Sequence, residues 1–374
     1  MHVGSDRVRR TVWLSLVLLA AGSLAAGCFS ESEPAVPPYD ADRPPNDQSP
    51  IWSPDGERLA FVRGDEHTLR VIDVRSGRIV VVSDGLPSGW GRDYVWSSDG
   101  NRIAFVRAED RTLRLADLRS GRTTELLDGV SGLASAPWSP DGRFLAVTSD
   151  RDGVRSKRCL RTDGMCVELY AVPVAGGPAR RLTVNETYER EPVWSPDSRR
   201  LAFLSGHEPG DPRAWRDVRV VDLEHGTTRF VTNDSRGEWN VQWDPGDGEL
   251  VIDIDDGSRA KLVLGPPIRR RDLPRAKYTP GRVQSPLDGT VAYTSTRDRN
   301  GRTCWADNYG NTDCAPNDEL YLHLANGRRV RVTHTRVNES DLTWSPDGTT
   351  LAFISGGQIW LVDADGHGLR RLTG

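Results

Sequence analysis

The sequence predicts an all-β fold: a single ring of four-stranded sheets packed radially as the blades of a β-propeller. Three observations lead to this prediction. A Trp-Ser-Pro-Asp-Gly motif recurs at intervals of 41 to 60 residues. Each copy is followed by a short apolar run typical of a buried strand. The spacing, about 45 residues, is that of one propeller blade. A chain of 374 residues is therefore interpreted as one repeat architecture and not as two unlike domains.

Five copies of the motif are nearly complete and two are weaker. The nearly complete copies begin at Trp52, Trp96, Trp138, Trp194 and Trp344. The weaker copies are Trp243-Asp244-Pro245 and Ser285-Pro286-Leu287-Asp288-Gly289. Seven copies predict seven blades. A six-bladed ring, in which residues 241 to 285 fold otherwise, is the alternative.

Each repeat predicts four strands in order. Ser-Pro-Asp-Gly is typical of a type I turn and joins the first two strands. The apolar run after it, such as Leu59-Ala60-Phe61, lacks polar alternation, as expected for a strand covered on both faces. A third strand, a glycine turn and a fourth strand complete the blade, and the recurring tryptophan is interpreted as packing between blades.

The ring is predicted to close without an exchanged strand. The first strand begins near Ser49, and the fourth strand of the seventh repeat ends at the last residue. Closure then depends on packing between the first and last blades. The sequence therefore predicts that this junction is the weakest in the ring.

The repeats resemble the TolB-type propeller repeat, a relative of WD repeats, over residues 49 to 374. The resemblance implies the fold and is unspecific for function. The amino-terminal α/β domain of TolB proper is absent from this sequence. Prolyl oligopeptidases carry similar propellers beside a hydrolase domain, but the chain has no Gly-x-Ser-x-Gly nucleophile motif.

The first 27 residues are predicted to be a signal peptide. Arg7, Arg9 and Arg10 precede a short apolar stretch, and Ala25-Ala26-Gly27 leads into Cys28. This order resembles the lipobox of bacterial lipoproteins, which implies that Cys28 is acylated. An ordinary cleaved signal with an incidental cysteine is the alternative. Residues 28–48 are predicted to be a disordered tether rich in proline and acids. We therefore expect an exported protein anchored to the membrane only through lipid, facing the periplasm or the cell exterior.

The remaining cysteines form two local pairs. Cys159 pairs with Cys166 and Cys304 with Cys314, each pair inside one insertion between the second and third strands of blades three and six. An even cysteine number in an exported chain predicts disulfides. Zinc binding is the alternative, but neither pair has the usual spacing of zinc ligands. The formal net charge of −4 comes without a basic stripe, which argues against nucleic acid as a partner.

The long insertions are expected to share the face that carries the connections between blades, which we call the loop-rich face. The predicted ligand-binding aromatic residues on this face are Trp90, Trp215, Trp305 and Tyr309, and Tyr94 is a weaker candidate. Aromatic residues in long loops on a rigid scaffold are typical recognition anchors. The alternative is that each covers the small core of its own loop.

Polar residues precede most repeat tryptophans by three positions. Asp93, Glu191 and Asp341 would make the mouth of the central channel acidic. A calcium ion or a cationic ligand group could bind there; ordinary solvated strand ends are the alternative. No other cofactor is predicted.

The function predicted from these features is a binding or scaffold module for a protein, a peptide or an envelope polysaccharide. A propeller enzyme of the lyase, lactonase or glycosidase type, with its site at the acidic channel mouth, is one alternative. An envelope sensor is another. The histidines are scattered and none recurs with a carboxylate at general-base or metal spacing, so no catalytic residue is predicted.

Overall fold

The computed structural model describes the chain from residue 46 to residue 374, with internal gaps. The residues outside the description are 65, 87–93, 154–165, 185–186, 188, 207–215, 234–236, 255, 275–281, 297–301, 307–311, 317 and 336. For residues 134–136, 216, 302–306 and 312–316 the strands are described but the side chains are not. The predicted signal peptide, Cys28 and most of the predicted tether lie outside the described residues.

The described residues form strands and turns, with no helix among them, and the strands make seven four-stranded antiparallel blades. Blade 1 contains β1 (Asp47–Trp52), β2 (Arg58–Arg63), β3 (Thr68–Asp73) and β4 (Ile79–Ser83). Blade 2 contains β5 (Tyr94–Trp96), β6 (Arg102–Arg107), β7 (Thr112–Asp117) and β8 (Arg122–Leu127). Blade 3 contains β9 (Val130–Trp138), β10 (Phe144–Ser149), β11 (Glu168–Pro173) and β12 (Arg180–Arg181). Blade 4 contains β13 (Glu189–Trp194), β14 (Arg200–Gly206), β15 (Arg216–Asp222) and β16 (Thr228–Phe230).

The remaining strands follow the same order. Blade 5 contains β17 (Glu238–Trp243), β18 (Leu250–Ile254), β19 (Arg259–Val263) and β20 (Arg269–Leu273). Blade 6 contains β21 (Arg282–Gln284) and β22 (Val291–Ser295), then an inserted hairpin of β23 (Arg302–Ala306) and β24 (Thr312–Pro316), then β25 (Glu319–His323) and β26 (Arg329–Arg331). Blade 7 contains β27 (Glu339–Trp344), β28 (Thr350–Ser355), β29 (Gln358–Asp363) and β30 (Arg370–Arg371). The prediction of seven blades is confirmed, and the six-bladed alternative is wrong because residues 241 to 285 supply blade 5 and the first strand of blade 6.

The recurring turn has the predicted geometry. In blade 1 the Gly56 amide donates to the Ser53 carbonyl at 2.9 Å, which closes the four-residue turn. The buried Ser53 hydroxyl donates to Asp55 Oδ1 at 2.5 Å and accepts from the Arg58 amide at 2.9 Å. These bonds satisfy the polar groups of the turn, which explains why Ser and Asp recur there together with Pro and Gly.

The recurring tryptophans pack between blades, as predicted. Five indoles donate Nε1–H to a backbone carbonyl of the preceding blade at 3.0–3.2 Å; the pairs are Trp52–Thr343, Trp96–Ile51, Trp194–Pro137, Trp243–Val193 and Trp344–Val283. An arginine after the turn of one blade lies over the indole of the next, for example Arg58 over Trp96 at 5.3 Å. Trp96 and Trp243 therefore contribute apolar burial, a hydrogen bond and a cation–π contact to one junction each.

Apolar clusters bridge six of the seven junctions within the described residues. They join blade 1 to 2, 2 to 3, 3 to 4, 4 to 5, 6 to 7 and 7 to 1. No such cluster joins blade 5 to blade 6 in the described part of the chain. We call this junction the polar seam.

Ring closure between blades 7 and 1 is stronger than the sequence predicts. Both blades keep their own four strands, as expected. The junction nevertheless has an apolar cluster containing Trp52 and Phe61 and a backbone hydrogen bond of 2.8 Å from Asp47 to Gly357. The prediction that closure is the weakest junction overlooked Asp47. Asp47 begins β1, two residues before the predicted start, and its side chain is buried against blade 7.

Candidate functional site

Most residues predicted to bind ligand lie outside the described part of the chain. These are Trp90, Asp93, Trp215 and Tyr309, together with the predicted lipidation site Cys28. Trp305 lies in β23, and its side chain is not described. Tyr94, the weaker aromatic candidate, is 2% exposed and packs in the cluster between blades 1 and 2, so it is a core residue and not a recognition anchor.

The two insertions lie where the sequence places them. Each follows the second strand of its blade and returns to the third strand, so the ring brings both to the loop-rich face. In blade 6 the insertion forms the hairpin β23–β24, in which Cys304 and Cys314 are directly opposite. In blade 3 Cys166 is 1% exposed and disulfide-bonded, while Cys159 lies outside the described residues. The pairings themselves stay predictions.

The innermost strands carry an irregularity at the predicted channel-mouth positions. Ser49, Glu191 and Asp341 have positive φ angles of 52°, 49° and 52°, a backbone conformation that non-glycine residues rarely adopt. In each of the three strands the pairing shifts by one residue at this point, as in a β-bulge. Glu191 and Asp341 are exposed. Within the described residues no group of three or more metal-type ligands forms, and calcium binding stays a prediction.

A carboxylate–threonine link between blades was not predicted. In the junction of blades 7 and 1, the Thr373 hydroxyl donates to Asp47 Oδ2 at 2.6 Å and accepts from the Ile359 amide at 2.9 Å. Thr232 links Val218 to Glu238 of blade 5 in the same way, with distances of 2.8 and 3.2 Å. A sequence signal for these links exists. Four repeat tryptophans have an acid five positions earlier: Asp47, Glu189, Glu238 and Glu339. In the blade that packs before each of these acids, a threonine ends the segment of the fourth strand: Thr373, Thr183, Thr232 and Thr333, in the same order.

The junction of blades 6 and 7 carries two buried carboxylates. Glu319 is 1% exposed, pairs with Arg331 at 3.1 Å and accepts from the Thr333 hydroxyl at 2.8 Å. Glu339 Oε1 accepts from the hydroxyls of Thr335 and Ser355 at 2.8 and 2.9 Å.

The second oxygen of Glu339, Oε2, is buried without a hydrogen-bond partner among the described residues. Burial raises the pKa of Glu339, the hydroxyls of Thr335 and Ser355 oppose this rise, and the nearby Glu319 carboxylate adds to it. The protonated form of Glu339 is therefore favoured by folding.

The polar seam results from substitutions on both of its sides. Blade 6 has Gln284, which is exposed, where the other blades have tryptophan. The Phe61 position of blade 1 is Tyr293 in blade 6, and the Ile72 position is His323, as the strand registers show. These residues point away from blade 7 because the alternate residues Ala292 and Leu322 pack onto it.

Blade 5 is equally polar on the side turned to the seam. Asp253 and Lys261 occupy the positions that Val62 and Val71 hold in blade 1. Lys261 is 8% exposed and pairs with Asp244 at 2.8 Å and with Asp247. Hydrogen bonds from Lys261 to these two carboxylates raise its pKa.

A cavity of about 490 Å³ lies on the seam side of blade 6. Its lining contains three arginines, one histidine, two tyrosines and one serine: Arg282, Tyr293, Ser295, Tyr321, His323, Arg329 and Arg331. All of them belong to blade 6, and none is acidic. The Tyr293 and Tyr321 rings stack with centroids 5.6 Å apart, and the Arg282 guanidinium lies 4.9 Å from the Tyr293 centroid. This site was not predicted from the sequence, in which Tyr293 and Gln284 are the only signal because they mark the weakest repeat.

The fold defines a WD-like β-propeller, and comparisons with known proteins agree. The family described as WD domain, G-beta repeat, matches residues 123–154, a segment that runs from the outer strand of blade 2 into blade 3. The predicted WD-like repeat is thereby confirmed.

Of the described residues, none forms a helix with the length and apolar character that crossing a bilayer requires.

Two curated relatives are named as peptidases. The chain is 26% identical over 253 residues to tricorn protease homolog 1 of Streptomyces coelicolor, which covers 63% of this chain and 20% of the relative. It is 27% identical over 216 residues to the uncharacterized peptidase YuxL of Bacillus subtilis, covering 58% of this chain and 28% of the relative. The chain therefore spans only about a quarter of the length of these relatives.

Among solved structures, an oligogalacturonate lyase from Vibrio parahaemolyticus is similar with a TM-score of 0.54 at 15% identity, over 86% of this chain and 90% of the lyase. The tricorn protease is similar with a TM-score of 0.51 at 15% identity, over 89% of this chain and 35% of the protease. At these identities the likeness shows the shared fold alone.

Proposed function

We propose that this protein is an exported, lipid-anchored binding module that holds a protein, peptide or envelope polysaccharide on its loop-rich face. One observation supports the proposal: the insertions of blades 3 and 6 both follow the second strand of their blade, and each contains two cysteines that we infer to form a disulfide. Fixing a loop before binding lowers the entropy lost when a partner is held.

The scaffold beneath these loops suits such a role. Within the described residues six of the seven junctions have apolar clusters, and five indoles donate a hydrogen bond across a junction, so loops on this ring start from defined positions. The names of the similar peptidases and lyases make an enzyme the competing proposal. No residue cluster described above supplies a nucleophile with a base or a metal site, so the binding role is preferred.

The experiment compares three forms of the mature domain immobilised on beads and exposed to envelope fractions of a bacterium. One form is intact, one has residues 302–316 replaced by a short Gly-Ser linker, and one carries Leu287→Ser on the opposite face, where Leu287 is 62% exposed. We expect a defined component to bind to the intact and Leu287→Ser forms and to be lost from the linker form.

Equal capture by all three forms would exclude the loop-rich face. Turnover of a panel of oligosaccharides, lactones and peptides by the intact form would favour the enzyme. The proposed anchor is tested separately: Cys28→Ala should move the expressed full chain from the membrane fraction to the soluble fraction, and an unchanged distribution would remove the lipid anchor.

A further inference from the structure

We propose that the cavity on the seam side of blade 6 binds a small molecule carrying an oxyanion, either a phosphate ester or a carboxylate. Its volume of about 490 Å³ falls within the range of small-molecule sites. Its lining belongs to the strands β21, β22, β25 and β26 and not to the insertion, and none of the ligand-binding residues predicted from the sequence lines it.

The charge of the lining points to an anion. Arg282, Arg329 and Arg331 contribute three guanidinium groups to one cavity, and no lining residue is acidic. Neither Arg282 nor Arg329 has a carboxylate partner among the described residues, and both are exposed to the cavity and solvent. Guanidinium groups present paired N–H donors that match the oxygens of phosphate and carboxylate.

The cavity is also held in shape by its own residues. Tyr293 stacks on Tyr321 at an interplanar angle of 18°, and the Arg282 guanidinium lies 4.9 Å from the Tyr293 ring centroid. Arg331 is fixed by the Glu319 carboxylate at 3.1 Å, and its Nε donates to the Thr333 carbonyl at 2.8 Å. Two of the three guanidinium groups are therefore placed before a ligand arrives, which lowers the entropy cost of binding.

A purely structural role would have these arginines neutralise the acids of blade 5 across the polar seam. Blade 5, however, provides its own cations. Asp253 pairs with Arg259 at 2.9 Å, and Asp244 and Asp247 pair with Lys261. The acids that face the seam are thus already paired within blade 5, whereas Arg282 and Arg329 are not paired within blade 6.

His323 supports the same conclusion. It lies in the cavity where blade 1 has the buried Ile72. A histidine can donate a hydrogen bond to an anion and adds a positive charge when it is protonated. The seam therefore replaces an apolar contact with groups that recognise an oxyanion, and the aromatic pair offers a flat surface to the rest of the ligand.

The test measures binding of two probes, inorganic phosphate and citrate, to the whole domain by calorimetry, with sodium chloride at matched ionic strength as the reference. We expect saturable binding of at least one probe beyond chloride, and the stronger probe assigns the phosphate or the carboxylate class. Arg282→Gln and Arg329→Gln should each weaken that binding about tenfold or more.

Arg122→Gln is the matched control, because Arg122 is an exposed arginine at the start of the fourth strand of blade 2, as Arg329 is in blade 6. It should bind as the unaltered protein does. No saturable binding of either probe, or equal binding by all variants, would overturn the proposal. Arg282 contacts the Tyr293 ring, whereas no ring contact or ion pair is shown for Arg329 among the described residues, so Arg329→Gln keeps the test decisive even where Arg282→Gln disturbs folding.

Discussion

The junction of blades 1 and 2 and the polar seam of blades 5 and 6 are built at the same positions of the repeat with opposite chemistry. In the first, Trp96 of blade 2 is 5% exposed, donates to the Ile51 carbonyl at 3.1 Å and lies under Arg58. In the second, the tryptophan is Gln284, and aspartate, lysine, tyrosine and histidine replace aliphatic and aromatic core residues. The comparison shows that, within the described residues, six junctions are held by apolar clusters and that the seventh has polar and charged groups at the same positions.

The largest effect is expected from truncating the indole in the apolar junction. Trp96→Ala removes a buried side chain, its hydrogen bond and its cation–π contact, and should lower the free energy of unfolding by about 3–5 kcal/mol. Gln284→Ala at the same repeat position is exposed and should change it by no more than about 0.5 kcal/mol. Urea unfolding of both variants measures this, and equal losses would show that the seam is as tightly packed as the other junctions.

The second prediction concerns ring closure. Thr373→Val removes the hydroxyl that donates to the buried Asp47 carboxylate at 2.6 Å. One buried carboxylate oxygen then loses a partner, and the free energy of unfolding should fall by about 1–3 kcal/mol. Thr183→Val is the control. The Thr183 hydroxyl accepts from the Leu169 amide at 2.9 Å, as the Thr373 hydroxyl does from the Ile359 amide. Among the described residues, however, Thr183 donates to no carboxylate. A loss in Thr183→Val as large as in Thr373→Val would contradict the interpretation.

The sequence predicts the architecture well because each part of the repeat favours one local structure. Ser-Pro-Asp-Gly specifies a turn, the apolar run specifies a doubly covered strand, and the tryptophan specifies a junction, so seven copies give seven blades. The prediction that ring closure is the weakest junction depended only on which strands each blade contains. It did not include Asp47, whose buried contacts are made to residues distant in the chain.

The candidate sites were harder to predict for a related reason. The cavity depends on residues that come together only across β21, β22, β25 and β26, and the insertion separates Tyr293 from Tyr321 in sequence. Positive φ angles at Ser49, Glu191 and Asp341 are also absent from the local sequence pattern, since none of these residues is glycine. Both features depend on how neighbouring strands pair, which the local sequence pattern does not specify.

The third prediction compares the junction of blades 6 and 7 with ring closure. The third strand begins with Glu319 in blade 6 and with Gln358 at the same position in blade 7. Glu339 therefore faces a second carboxylate, whereas Asp47 faces an uncharged amide. The pKa of Glu339 is raised by folding from its usual 4.5. Glu339 then binds a proton more readily in the folded than in the unfolded protein, so the stability that this carboxyl contributes is fully present below pH 4.5 and is lost as pH rises through the raised pKa.

Glu339→Gln mimics the protonated form and keeps an oxygen for Thr335 and Ser355. It should remove this fall in stability, by about 1.4 kcal/mol for each unit by which the pKa is raised. Unfolding measured from pH 4 to pH 8 tests this. Glu224→Gln, at an exposed position, should leave the slope unchanged. A slope that is identical in Glu339→Gln and the unaltered protein would show that Glu339 does not titrate differently on folding.

The smallest effect on stability is expected from restoring the missing tryptophan. If the single residue Gln284 made the seam polar, Gln284→Trp would stabilise the domain by about the 1.5–3 kcal/mol gained on burying a large apolar side chain. We expect a change within about 0.5 kcal/mol instead, because the β18–β19 pairs that face the seam are Val251–Lys261 and Asp253–Arg259. In these pairs Val251 alone offers the indole apolar surface. The indole would still crowd the cavity beside Arg282, so phosphate or citrate binding should weaken while the unfolding midpoint stays in place. A large gain in stability would mean that the polar seam is a defect of one position and not a site.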